Sequence, residues 1–169
     1  MTKAKYIWIA LLATVLLTAC GVYSFRDVTI DYSKIKTIKI GFIENKARYV
    51  NPQLSPKLTD KIQQKITNQT KLSRTNNDDA HLQITGYISN YDATQTVGIS
   101  NGQTNTNRLT VSVHIVLRNT VENKTEEFDV SRNFDFAASL SLQQAENQLL
   151  DEVVRNLTDE IFNKIFSNW

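Results

Sequence analysis

The feature that most constrains the fold is a long apolar stripe near the end of the sequence. Its members recur at every fourth position: Ala145, Leu149, Val153, Leu157, Ile161 and Ile165. Residues at this spacing lie on one face of an α-helix, so the stripe predicts an amphipathic helix. Ser141 and Gln144 have the spacing of a capping box, which places the first helical residue at Leu142. A helix reaching Ser167 would extend roughly 39 Å at about 1.5 Å per residue, enough to cross a whole sheet.

Four earlier segments alternate apolar and polar residues with the period of a half-buried strand. The cleanest is Leu109 to Leu117, and the others are Lys36 to Ile43, Ala80 to Tyr91 and Phe128 to Phe136. In the first of them along the chain, the alternation predicts that Ile38, Ile40 and Phe42 share the buried face. Gly86, inside the second, indicates a bulge or a close backbone approach.

A first helix is predicted between the first and second strands. Ser55 followed by Pro56 is typical of a helix start, because serine can cap early N–H groups and proline is tolerated in the first turn. Leu58, Ile62 and Ile66 then form a narrow apolar stripe among lysines. The element order is therefore β-α-β-β-β-α. We expect an α+β fold with two helices packed on one face of a four-stranded sheet.

The segment from Ala93 to Asn107 consists almost wholly of Thr, Gln, Asn, Ser and Gly. Such a composition has no apolar face to bury. Two interpretations are open at this point: a long exposed connection, or an extension of the two flanking strands.

The N-terminal residues have the pattern of a bacterial lipoprotein signal. Lys3 and Lys5 precede an apolar run that ends in Leu17-Thr18-Ala19-Cys20, and this run is too short to span a bilayer comfortably. We expect cleavage before Cys20 and acylation of that cysteine, with several chains giving firm anchoring. The alternative is an ordinary secretory signal beside an unrelated thiol. Gly21 favours the outer membrane, since aspartate at this position retains many lipoproteins in the inner one.

These boundaries define three parts: a signal peptide over 1–19, a lipidated tether over 20–33 and a single domain over 34–169. The mature 150 residues can bury one core, and no disulfide can form. Charge is uneven along the domain. Lys34 to Arg74 contains ten basic and two acidic residues, whereas Glu122 to Glu160 contains ten acidic and three basic. The two halves either attract each other within the fold or generate a field for a ligand.

The sequence shows no cluster of metal ligands and no phosphate-binding loop. It has two histidines, His81 and His114, which we interpret as sheet residues rather than zinc ligands. The five glycines are scattered, so no phosphate loop is predicted. We expect no enzymatic activity, no cofactor, no bound metal and no nucleic-acid partner.

Several cations could instead recognise an anionic group. Arg108 and Arg118 lie at the two ends of the best strand, on its polar face with His114. The guanidinium fork matches phosphate oxygens, and lysines of the first helix could contribute point charges. The competing interpretation is that these side chains provide solubility and attraction to the acidic last helix.

Short strings along the mature chain resemble the lipopolysaccharide-assembly lipoproteins of the LptE type. The strings are Cys20-Gly21-Val22-Tyr23-Ser24-Phe25, Asn51-Pro52-x-Leu54-Ser55, Asn107-Arg108-Leu109-Thr110-Val111-Ser112-Val113, and Ile161-Phe162-Asn163-Lys164 through Asn168-Trp169. Each is weak alone, but they agree in order. The resemblance implies two helices on a mixed four-stranded sheet, a lipid anchor in the outer membrane and exposure to the periplasm.

The resemblance also implies a partner and a ligand. Proteins of this type sit inside the large LptD β-barrel as plug and assembly partner, and they help deliver lipopolysaccharide to the cell surface. The cationic half and the two arginines of the best strand suit the phosphorylated part of that glycolipid. The candidate lipopolysaccharide-binding residues are Arg48, Lys57, Lys61, Lys65, Arg108 and Arg118. A periplasmic chaperone or pilotin for another envelope component is the alternative function.

Overall fold

The computed structural model describes residues 30–100 and 103–166, and within them six strands and two helices. The elements in chain order are β1 (Thr37–Ile40), β2 (Glu44–Asn45), α1 (Leu54–Gln69), β3 (Ser73–Arg74), β4 (Leu82–Ser100), β5 (Gln103–Asn119), β6 (Lys124–Ala137) and α2 (Leu142–Phe166). The cysteine proposed to carry lipid, Cys20, lies outside the described residues.

The strands form one mixed sheet in the order β3-β1-β4-β5-β6, with β2 also paired to β4. β1 runs parallel to β3 and β4, while β4, β5 and β6 form an antiparallel meander. The α+β class is confirmed, but the expected number of four strands is wrong. β2 and β3 have two residues each, which is too short for alternation to be visible in a sequence.

β1 and β2 lie along the same edge of β4 with a one-residue slip between them. Ile40 pairs with Ile84 and Glu44 with Tyr87, so four residues on one side oppose three on the other. A bulge of this kind reverses which side chains point inward. Ile43 is therefore fully buried and Phe42 is 58% exposed. The expectation that Phe42 shares the buried face is wrong for this reason.

β4 also changes phase, and it does so after Gly86. Ile88 and Asn90 pair with consecutive residues of β5, so one residue bulges between them and Tyr91 turns inward. Gly86 itself is a site of close approach. A Cβ there would lie 2.4 Å from the carbonyl oxygen of His114, which no side chain can tolerate without backbone movement.

The polar segment between the second and third predicted strands extends the strands. β4 continues to Ser100 and β5 begins at Gln103, with Thr94 paired to Arg108 and Ile99 to Thr104. Of the two interpretations of this segment, the extension of the two flanking strands is confirmed.

Both helices cover one face of the sheet, called here the inner face. The buried residues of β5 on this face are Leu109, Val111, Val113 and Ile115, and they meet Leu58, Ile62 and Ile66 of α1 and Val153, Leu157 and Ile161 of α2 in one core. The opposite side, called the outer face, carries the alternate residues of β4, β5 and β6. No described element packs over it.

The two helix starts differ in how they are capped. At α2, the Ser141 N–H donates to Gln144 Oε1 at 2.9 Å and the Gln144 N–H to Ser141 Oγ at 3.3 Å, which confirms the capping box. At α1, the helix begins at Leu54, and no side chain caps it. The predicted Ser55 cap is wrong, because Ser55 lies inside the first turn with its hydroxyl buried.

Candidate functional site

The two helices are joined by ion pairs that run along their shared seam. Lys57 Nζ lies 3.0 Å from Asp151 Oδ1, and Lys65 Nζ lies 2.8 Å from Asp159 Oδ1. The residue numbers of the paired lysines and aspartates increase in the same direction, so α1 and α2 run parallel. Lys65 also lies over the ring of Phe162, 5.0 Å from its centroid. The expected attraction between the basic and acidic halves is therefore confirmed, and it engages two of the candidate lysines.

The outer face carries a ladder of polar side-chain pairs between β5 and β6. Arg108 donates twice to Asp135, at 2.6 and 2.9 Å, and the next rungs are Thr110 with Asn133 at 2.9 Å, Ser112 with Ser131 at 2.9 Å and His114 with Asp129 at 3.0 Å. The hydrogen bonds to Arg108 lower the pKa of the Asp135 carboxyl below its usual value. This ladder pairs the Arg108 guanidinium with a carboxylate through two of its N–H donors and leaves the face open to solvent.

Both histidines have structural contacts, as expected from the sequence. His114 packs its ring against Tyr87 at a centroid distance of 5.2 Å, and Lys46 lies 4.7 Å above the same Tyr87 ring. The Lys36 N–H donates to His81 Nδ1 at 3.0 Å. Within 30–100 and 103–166, no three His, Cys, Asp or Glu side chains are grouped in a way that could hold a metal ion.

The remaining candidate cations are exposed. Arg48 lies between β2 and α1, Lys61 lies on α1 and Arg118 lies at the end of β5 on the outer face. Among the described residues, none of the three has a carboxylate within ion-pair distance. They are therefore the candidates whose charge is available to a ligand.

A buried carboxylate that the sequence analysis did not single out ties three segments together. Glu146, in the first turns of α2, is 7% exposed and accepts from Tyr91 Oη at 2.7 Å and from Tyr49 Oη at 3.2 Å. The two tyrosine rings stack with centroids 5.5 Å apart. Burial, together with Glu146, raises the pKa of Tyr91 well above its usual range. The spacing along the helix could have identified it, because Glu146 lies four residues before Leu150 and therefore on the buried side of α2.

Sheet, helices and charges together define the class of protein: an α+β module with one face of its sheet sealed by two helices and the other face polar and open. Within the described ranges, no helix has both the length and the apolar character needed to cross a bilayer. The chain belongs to the LptE lipopolysaccharide-assembly family, whose model matches residues 35–165. Membership of this family assigns the chain a role in lipopolysaccharide assembly. No curated protein matches the sequence significantly.

Solved structures with the same fold have low sequence identity. The rare lipoprotein B of Shewanella oneidensis is 13% identical, with a TM-score of 0.50, covering 75% of this chain and 92% of its own. Lipoprotein B of Nitrosomonas europaea is 13% identical, with a TM-score of 0.53 and coverage of 79% and 83%. The hypothetical protein CT253 of Chlamydia trachomatis is 11% identical, with a TM-score of 0.52 and coverage of 79% and 99%. At these identities the likeness establishes the fold.

Proposed function

We propose that this chain is an outer-membrane lipoprotein that faces the periplasm and acts as plug and assembly partner of an LptD-type β-barrel. Direct contact with lipopolysaccharide during its transport to the cell surface is part of the proposal. The chain acts without catalysis and without a cofactor. The observation that carries the proposal is the family match, which spans nearly the whole described domain.

The outer face supports a partner with a hydrophilic wall. Its ladder between β5 and β6 consists of hydroxyls, an amide and paired charges, so this part of the face can remain in water or meet a polar surface with its polar groups bonded to one another. Along each strand of a large barrel, residues that face the lipid alternate with residues that face a polar lumen. A sheet face that presents a ladder of hydrogen-bonded polar side chains suits such a lumen.

Anchoring through Cys20 supplies the location. An acylated N-terminus would hold the domain at the membrane while the tether over 20–33 lets it reach the barrel. Mass spectrometry of the native polypeptide should show a chain that begins at an acylated Cys20. An unmodified thiol or an uncleaved leader would contradict the localisation.

The available cations are the proposed points of contact with the glycolipid. Arg48, Lys61 and Arg118 make no described ion pair, whereas Lys57, Lys65 and Arg108 would have to exchange a carboxylate for a phosphate oxygen. A soluble form lacking residues 1–20 should bind lipopolysaccharide in a salt-sensitive way, because exposed charges are screened by salt. Reversing the charge of Arg48 and Arg118 together should weaken that binding more than reversing Lys57.

The partner is tested by purification of the tagged, lipidated chain in mild detergent. The expected result is copurification with one outer-membrane barrel of much larger size. A photoreactive residue at Thr94 or Thr110 should crosslink to that barrel, since both positions belong to the hairpin and its outer face. Emergence of the chain alone contradicts the plug function. Crosslinking to a different secretion component supports the chaperone or pilotin alternative.

A further inference from the structure

The seam between the helices contains a rung at which two cations face each other. Lys57 pairs with Asp151 and Lys65 with Asp159, eight residues later on both helices. Midway between them the parallel register places Lys61 opposite Arg155. Along the seam, the facing residues are therefore Lys and Asp, then Lys and Arg, then Lys and Asp again. The middle rung breaks the pattern of ion pairs that joins the rest of the seam.

The two cations also line the same groove. Its walls comprise Lys57, Asp60, Lys61, Gln64, Asp151, Val154 and Arg155, and its volume is about 460 Å³. Lys61 and Arg155 are both exposed, so their charged ends are accessible from solvent. The groove is large enough for a phosphate group, given that a water molecule occupies about 30 Å³ of liquid.

The carboxylates around this rung leave a cation in excess. Asp151 and Asp159, one turn before and one turn after Arg155, are each engaged by a lysine of α1. Asp60 is the one acidic side chain lining the groove that has no ion pair among the described residues. Two cations that line the same groove repel each other, so an anion between them would relieve the repulsion as well as gain two charged contacts.

We propose that the middle rung is an anion site for a phosphate monoester or inorganic phosphate. The Arg155 fork would take two oxygens and the Lys61 ammonium a third, the arrangement in which charge-assisted hydrogen bonds are strongest. Gln64 offers an amide donor on the same wall. The inference rests on the register of the helices and is independent of the proposed barrel partnership.

The test is a titration of the purified soluble domain with inorganic phosphate at constant ionic strength, followed by NMR or calorimetry. We expect saturable binding that weakens at least about tenfold in Lys61→Glu and in Arg155→Glu. Lys36→Glu is the matched control, because it makes the same charge change at an exposed lysine just before β1, outside the groove, and it should bind phosphate like the parent. Asp60→Asn removes the competing carboxylate and should strengthen binding.

A second measurement does not require a ligand. Without phosphate, Lys61→Glu adds an ion pair with Arg155 to the seam and should raise Tm above that of the parent. With saturating phosphate, which stabilises the parent, this difference in Tm should disappear. Failure of phosphate to bind saturably, equal weakening in Lys36→Glu, or a lower Tm of a folded Lys61→Glu would each overturn the proposal.

The source of the phosphate is distinguished by vesicles. Vesicles of phosphatidylcholine that contain a minor fraction of phosphatidic acid present the monoester at a membrane. Binding to them that is lost in Lys61→Glu and retained in Lys36→Glu identifies a lipid headgroup. Binding of inorganic phosphate without such vesicle binding identifies a soluble anion. Copurification with a barrel is unaffected by either result, so the two proposals fail separately.

Discussion

The inner and outer faces of β5 show how one strand serves two purposes. On the inner face, Val111, Val113 and Ile115 are fully buried against the helices. On the outer face, Ser112 and His114 are bonded to side chains of β6 and remain accessible. Apolar burial on the first face supplies most of the stability, since exposed polar pairs contribute little. The second face is therefore free to change for recognition with little cost to the fold.

The largest expected difference in stability is between two positions of β5 that lie on opposite faces. Ile115→Ala should lower the free energy of unfolding by about 2–5 kcal/mol, because it removes buried methyl groups and leaves a cavity. Ser112→Ala, on the outer face, should change it by no more than about 0.5 kcal/mol. Urea denaturation of both variants measures the contrast. Similar losses would show that the outer face is as important to stability as the core.

A second contrast concerns glycines. Gly86→Ala places a Cβ against the His114 carbonyl, 2.4 Å away, and should cost about 1–3 kcal/mol through backbone displacement. Gly41→Ala would meet the side chain of Thr85 at 3.3 Å, so its cost should be smaller. Denaturant midpoints report both changes. If Gly41→Ala were the more harmful, the close approach of β4 and β5 at Gly86 would not be the constraint.

The third prediction tests the buried Glu146 cluster at the border of the two faces. Tyr91→Phe should cost about 1 kcal/mol at pH 7, because Glu146 loses its shorter hydrogen bond. The folded protein holds the Tyr91 proton more tightly, with a pKa raised above its usual 10.0. Its contribution is therefore present below pH 10 and is lost as the pH rises further.

The measurement is the free energy of unfolding at neutral and alkaline pH. Tyr91→Phe should lose less stability above pH 10 than the parent does. Tyr49→Phe is the matched control, because Tyr49 is bonded to the same carboxylate but is 44% exposed. Its effect should be smaller at every pH. A larger effect at Tyr49 would contradict the assignment of Tyr91 as the main partner of Glu146.

The smallest effect is expected for the outer-face ion pair. Arg108→Ala should change stability only slightly, because both partners are exposed. The pKa of Asp135 is lowered by Arg108, so the contribution of the pair is present at neutral pH and is lost as the pH falls through the acidic range. A double-mutant cycle with Asp135→Ala at low and high salt measures it. A coupling that is large and insensitive to salt would contradict the description of this face as open to solvent.

Period and capping predicted most of the fold. The apolar stripes placed both helices, the alternation placed the long strands, and Ser141 with Gln144 marked the start of α2. The errors about the strands share one cause, which is the influence of the neighbouring strand. Phe42 is exposed and β4 changes phase because bulges shift the alternation, and a bulge depends on the neighbouring strand. The short strands β2 and β3 likewise exist only because β4 and β1 offer free edges.

The candidate site was predictable only in part. The sequence indicated which side chains are cationic, but not that Lys57, Lys65 and Arg108 have carboxylate partners or that Lys61 faces Arg155. The lysine partners lie 94 residues away along the chain, on the other helix. The partner of Arg108 is set by the register between β5 and β6.

The sequence alone determined the two helices, the long strands, the sealed inner face and the uneven charge, because each follows from spacing among neighbours in the chain. The tertiary structure decided which charges are neutralised, where the strands change phase and that Glu146 is buried beneath two tyrosines. Local periodicity encodes which side of an element is apolar. The parallel register of α1 and α2 is set by their packing on a shared sheet, and only that packing brings Lys61 and Arg155 to the same groove.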